Sequence, residues 1–96
     1  MPKAIWNGLV VAESDACEIV EGNVYFPPNA LDVDLLRPSD RTTVCGWKGT
    51  ANYFDLVAKD GGEALNAAWM YRHPKPEARR IADYVGFYSP PVTIER

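Results

Sequence analysis

Cysteine and histidine are scarce in this chain: its 96 residues hold Cys17, Cys45 and a single His73. The two cysteines can pair only once and form no Cys-x-x-Cys motif. Three candidate ligands also fall short of the four that a structural zinc normally takes, so no zinc site is expected. Long apolar runs are absent as well. None approaches the length of a membrane span, and the first residues lack a charged segment followed by a leader core. The expectation is a protein of the cytoplasm with both thiols reduced and no membrane contact. Nor is there an excess of basic charge. The net charge is −3 and the pI about 5.0, which gives no electrostatic reason to bind nucleic acid. The one basic cluster, from Arg72 to Arg80, is broken by two prolines and a glutamate and reads as a solvated face.

What remains is ordinary globular composition, 47 % hydrophobic and 24 % charged. That suffices for one domain over residues 1–96 with a core that needs no metal or disulfide. Asn7-Gly8 lies between the apolar runs Ala4-Ile5-Trp6 and Leu9-Val10-Val11-Ala12. Asn-Gly in that setting predicts a two-residue hairpin, because both residues tolerate positive φ. Cys17 to Val20 and Val24 to Phe26 predict a second strand pair around Glu21-Gly22-Asn23. Pro27-Pro28 ends it, since neither proline donates to a ladder. Residues 29–39 read as an ordered connection with at most one helical turn, pinned by Leu31, Leu35 and Leu36 and closed by Pro38.

Thr42-Thr43-Val44 predicts a strand running into Cys45-Gly46-Trp47-Lys48-Gly49, and the strand pattern resumes from Thr50 to Val57. Glu63 to Tyr71 is ambiguous. Its composition favours a helix, whereas the preceding Asp60-Gly61-Gly62 turn favours a returning strand with Leu65, Ala67, Trp69 and Tyr71 on one face. Pro76 suits the start of a short helix to Ala82. Val85 to Tyr88 is a strand, and Val92-Thr93-Ile94 is expected at a sheet edge. The fold class is thus mainly β, with one or two short helices.

Chemistry concentrates at Cys45 to Gly49. A thiolate gains from a nearby ammonium, so Lys48 could activate Cys45 as a nucleophile; alternatively Cys45 is a small buried hydrophobe and Lys48 a surface charge. Lysine can also hold a carboxylate or phosphate as a point charge. Gly46 to Thr50 lacks the glycine spacing and the Gly-Lys-Ser/Thr order of a phosphate loop. Aromatic residues form the second constellation, and tyrosine outnumbers phenylalanine five to three. Each phenol needs a polar partner, so either plain core packing or a partly aromatic pocket accounts for them. The ligand-binding candidates are Lys48, Trp47, Tyr25, Tyr53, Trp69 and Tyr71, with Cys45 as the candidate catalytic residue. Asp55, on a strand near this stretch, is the expected lysine partner. The scattered acids show no pairing that acid–base catalysis demands, and His73 reads as structural or exposed.

Cys45-Gly46-Trp47-Lys48-Gly49 with Ala51 and Tyr53, then Ala68-Trp69, Tyr71, Pro74 and Phe87-Tyr88, resemble domain-of-unknown-function family 427. Ala12-Glu13-Ser14 and Tyr25-Phe26-Pro27 match its opening segments, so the resemblance spans nearly the whole chain. One departure is Gly46, where the family usually has proline; it leaves the turn less constrained. The resemblance implies a small antiparallel β fold of the tent type, two sheets splayed around a pocket, and makes Glu63 to Tyr71 a strand. Tent-fold relatives carry four-cysteine zinc sites, whose cysteines this chain lacks. The family is also labelled nucleotidyltransferase-like, but no Gly-Ser with paired aspartates is present to hold magnesium. No cofactor is expected.

Three readings of function follow. The leading one is a small-molecule-binding pocket built on the aromatic residues and Lys48. The second is a thiol-dependent transferase or hydrolase using Cys45. The third is an interaction module that offers an edge strand to a partner or to a second copy, as a homo-oligomer.

Overall fold

The computed structural model describes residues 1–96 and is mainly β, built from antiparallel ladders. Strand β1 (Lys3–Trp6) turns into β2 (Leu9–Glu13) through Asn7 and Gly8, whose φ values of 54° and 73° are both left-handed, as a primed hairpin turn requires. Strand β3 (Glu18–Val20) turns into β4 (Asn23–Tyr25) the same way, through Glu21 and Gly22 at φ 54° and 79°. Short 3-10 turns at Pro28–Ala30 and Val33–Leu35 then lead into β5 (Leu36–Cys45). Strands β6 (Gly49–Val57) and β7 (Glu63–Met70) follow, then a 3-10 segment at Pro76–Ile81, β8 (Val85–Phe87) and β9 (Thr93–Glu95).

These strands form three ladders, ordered β2-β1-β9, β3-β4 and β5-β6-β7-β8, where two sheets were expected. The count is reconciled just beyond β4. The Phe26 amide donates to the Val85 carbonyl at 2.8 Å and the Val85 amide donates back at 2.9 Å. That exchange fastens the β3–β4 hairpin onto β8, so the β3-β4 and β5-β6-β7-β8 ladders run together as one curved surface, with β2-β1-β9 as the second sheet.

Two expectations change in detail. Residues 36–39 belong to β5 rather than to a connection, and Pro38 stands opposite Phe54. Because β5 is the edge of its sheet, the missing proline N–H removes no ladder bond that a neighbour needs. The face predicted for Leu65, Ala67, Trp69 and Tyr71 is also broken. Leu65 is 68 % exposed while the other three are buried. The ladder slips between Phe54 and Leu56, and Asn66 adopts φ 54° there, a bulge that shifts the alternation.

Asp55 serves that bulge. Its Oδ1 accepts from the Asn66 amide at 2.7 Å, and its Oδ2 accepts from Arg37 Nη2 at 3.1 Å. The expectation that Asp55 partners the lysine is therefore corrected: it is occupied by a cation and a backbone amide on its own sheet. Ser39 donates its hydroxyl to the Asn66 side chain and completes the knot.

The curved sheet is apolar on both sides. Leu56, Ala68, Val85 and Phe87 pack with Trp6, Val11 and Val92 of the β2-β1-β9 side. On the opposite side Ala51, Tyr53, Trp69 and Tyr71 pack with Val20, Tyr25, Ala78 and Ile81. Strand alternation in β6 sends Tyr53 one way and Leu56 the other. The aromatic side is the one that carries the candidate site. No helix is long and apolar enough to cross a membrane.

Candidate functional site

The β5–β6 connection places the central residues. Cys45 pairs with Gly49 at the hairpin's end, leaving Gly46, Trp47 and Lys48 as the loop. Gly49 has φ 111°, a conformation that side chains rarely adopt, and the 73–75 segment lies alongside it, the His73 carbonyl at ordinary contact distance, 3.5 Å, from where a β-carbon would stand. That segment holds the loop in return. The Lys75 amide donates to the Lys48 carbonyl at 2.9 Å, and Lys75 Nζ donates to the Gly46 carbonyl at 2.7 Å. The loop is thus constrained from outside, despite having glycine where the family pattern has proline. His73 is exposed and contributes backbone only.

This bracing turns Lys48 inward. Its side chain is only 8 % exposed, and Nζ lies 5.2 Å from the Trp47 ring and 5.7 Å from the Tyr71 ring. An ammonium so enclosed needs a counter-charge. Glu21, on the β3–β4 turn, provides it through a direct hydrogen bond from Nζ to Oε1. The other carboxylate oxygen faces Trp47 Nε1 at 3.4 Å. Burial pulls the Lys48 ammonium down, but the Glu21 carboxylate, with Tyr25, Tyr71 and Cys45 nearby, outweighs it and leaves the group above its ordinary range. The hydrogen bond from Lys48 holds Glu21 below the usual carboxylate range.

A cavity of about 530 Å³ opens beside this pair, walled by Tyr25, Tyr53, Trp69, Tyr71, Phe87 and Tyr88, with Lys48, Asn23, Ser89 and Arg96 among its polar lining. The size falls inside the roughly 300–1,000 Å³ typical of small-molecule sites. The rings are mutually fixed. Trp69 Nε1 donates to the Tyr25 hydroxyl at 3.2 Å, with the two rings at 89°. Tyr88 lies 4.6 Å from Trp69, centroid to centroid, and stacks against Tyr53 at 6.4 Å. The Tyr53 hydroxyl meets Thr43 Oγ1 at 3.0 Å and the Tyr88 hydroxyl at 3.3 Å.

These environments spread the phenol pKa values. Burial pushes Tyr71 up to about 12 and raises Tyr25 as well. Burial acts the same way on Tyr53, but hydrogen bonds from Thr43, Tyr88 and Arg41 prevail and lower it. The Tyr53 hydrogen bond, followed by burial, raises Tyr88.

Five of the six ligand candidates, Lys48, Tyr25, Tyr53, Trp69 and Tyr71, line this cavity. Trp47 stands outside the lining, 39 % exposed, with its indole against Glu21 and Lys48. Cys45 is half-buried, packed against the aromatic cluster rather than lining the cavity. Its thiol is lowered by the backbone amides of Lys48 and Trp47, which stabilise a thiolate at the loop. Trp6 belongs to the opposite core and Tyr84 is only half-buried beside the aromatic cluster.

Glu21 and Arg96 were not anticipated at the site. Glu21 is 27 residues from Lys48 in sequence and sits in a turn whose local pattern signals only a hairpin. Arg96 reaches the cavity from beyond β9 and donates to the Gly22 carbonyl at 2.8 Å. Its only sequence signal is a basic residue after an edge strand.

No curated protein matches the chain. Residues 2–96 match the family described as a domain of unknown function, DUF427, and a match over nearly the whole chain means that the protein belongs to the DUF427 family.

Proposed function

We propose that the protein binds a small molecule in the aromatic cavity. The observation that carries this reading is the cavity itself: about 530 Å³ of space with a buried ammonium at one side and four tyrosines and a tryptophan around it. Core packing alone does not account for rings that leave such a space between them. Lys48 supplies charge, the rings supply flat contact area, and the phenol groups supply hydrogen bonds that orient a guest. A thermal-shift screen of aromatic and anionic metabolites against wild type and Lys48→Ala tests it. Binders are expected to raise the wild-type Tm and to lose that effect in the variant. Silence of both proteins across the panel counts against the pocket.

A second reading, thiol-dependent transfer or hydrolysis at Cys45, is favoured by the lowered thiol alone. It ranks below the first because Cys45 is not among the residues lining the cavity. Turnover lost in Cys45→Ser, with retained ligand binding, is the result that would promote it. The edge-strand reading rests on β9, whose only partner is β1. Three residues offer few backbone groups to a partner. A mass measurement in solution tests it: a strict monomer counts against the homo-oligomer.

A further inference from the structure

We infer that Lys48 is a carboxylate receptor in the cavity wall whose present partner, Glu21, holds the place of the carboxylate of an aromatic acid bound in the cavity. This rests on the pocket reading and names the ligand class that reading leaves open. Glu21 meets two donors from consecutive residues of one braced loop: Lys48 Nζ binds Oε1 of Glu21, and Trp47 Nε1 faces Oε2. Of these two donors, Lys48 is the one that lines the cavity. The two partners are unequal in their surroundings. The Lys48 side chain is 8 % exposed and belongs to the cavity wall, whereas Glu21 is 51 % exposed at the tip of a hairpin of three-residue strands.

That inequality makes exchange feasible. An enclosed ammonium without an anion is costly, so an emptied receptor favours taking up another anion. A ligand carboxylate offers Lys48 the same charge and the same oxygens as Glu21, so replacing one by the other is close to neutral at the ammonium. Released Glu21 regains full hydration at the surface, at little cost. The balance is then tipped by the ligand's ring, which buries apolar area against Trp69, Tyr25 and Tyr71. A neutral analogue of the same shape gains the ring contacts but cannot displace Glu21. An amine meets repulsion from Lys48 and Arg96, which both line the cavity. Glu21 therefore acts as an internal competitor that sets a threshold on which acids bind.

Naphthoate and naphthamide, titrated by isothermal calorimetry into wild type and Glu21→Asn, test this. Asparagine suits the left-handed φ of 54° at that turn position and keeps the hairpin folded. Where Glu21 fills the receptor in most molecules, removing it tightens naphthoate by roughly tenfold, the reciprocal of the competent fraction. Naphthamide affinity stays unchanged. In wild type, side-chain carbon NMR reads the Glu21 carboxyl directly: saturation with naphthoate should return its titration to the ordinary range. Naphthamide and naphthoate binding alike, with no effect of Glu21→Asn, would overturn the receptor and leave the pocket standing. A Glu21 titration that does not move on saturation overturns it too. Failure of both probes to bind either protein overturns the receptor and the pocket together.

Discussion

The indole of Trp69 lies across Gly86 of the neighbouring strand so closely that a β-carbon on the glycine would stand 2.7 Å from the ring. Strand register puts Tyr53, Trp69 and Gly86 in one row, so a bulky ring is flanked by an absent side chain. Gly86→Ala is expected to destabilise the fold by about 2 kcal/mol through overpacking and to move the Trp69 ring into the cavity. Urea unfolding and tryptophan emission measure the two effects. Gly46 is the contrasting case. Its β-carbon would meet nothing within 4 Å, and its φ is not left-handed. Gly46→Ala should stabilise by about 0.5 kcal/mol by restricting the unfolded chain.

Asp55 holds a bulge rather than a site. Removing its carboxylate in Asp55→Ala leaves the Asn66 amide without its acceptor, a loss of about 2 kcal/mol. The Arg37 side chain is 48 % exposed, so its ion pair adds little to that figure. Urea midpoints should fall for Asp55→Ala and fall much less for Arg37→Met. Equal effects would mean that the ion pair, not the amide, fixes the bulge.

The two thiols should differ in reactivity. Cys45 is lowered by the Lys48 and Trp47 amides, whereas burial and the Asp15 charge raise Cys17. Iodoacetamide near neutral pH is expected to label Cys45 several-fold faster than Cys17, read by peptide mass spectrometry, since the thiolate is the nucleophile. The ratio should shrink as alkali ionises both. Labelling of Cys45 only after denaturation would remove the basis for thiol chemistry.

Alkaline titration should resolve the tyrosines. Among the four tyrosines that wall the cavity, Tyr53 ionises first and Tyr71 last, near its pKa of about 12. Above the ordinary phenol pKa of about 10, unfolded chains lose the Tyr71 proton before folded ones do. The unfolded state then binds fewer protons, so the Tyr71 contribution to stability falls as pH rises from the ordinary value towards about 12. In Tyr71→Phe that part of the alkaline decline should vanish, and with it the last phenolate step in the absorbance titration.

Sequence alone determined the local structure that depends on neighbours in the chain. Asn7-Gly8 and Glu21-Gly22 became left-handed hairpin turns because only such turns match the twist of paired strands. Family resemblance settled the segment from Glu63 as a strand, against its helix-favouring alanines, because pairing on both edges outweighs a weak intrinsic preference. Lys48, Tyr25, Tyr53, Trp69 and Tyr71 could be named from their chemistry. Tertiary structure decided what they face. The bulge at Asn66 reset the side-chain phase that strict alternation predicts, and Asp55 was claimed by that bulge. The lysine's counter-ion came from a separate hairpin, 27 residues away. Electrostatic pairing depends on distance through space, and no local pattern encodes which exposed carboxylate the fold will carry to a buried ammonium.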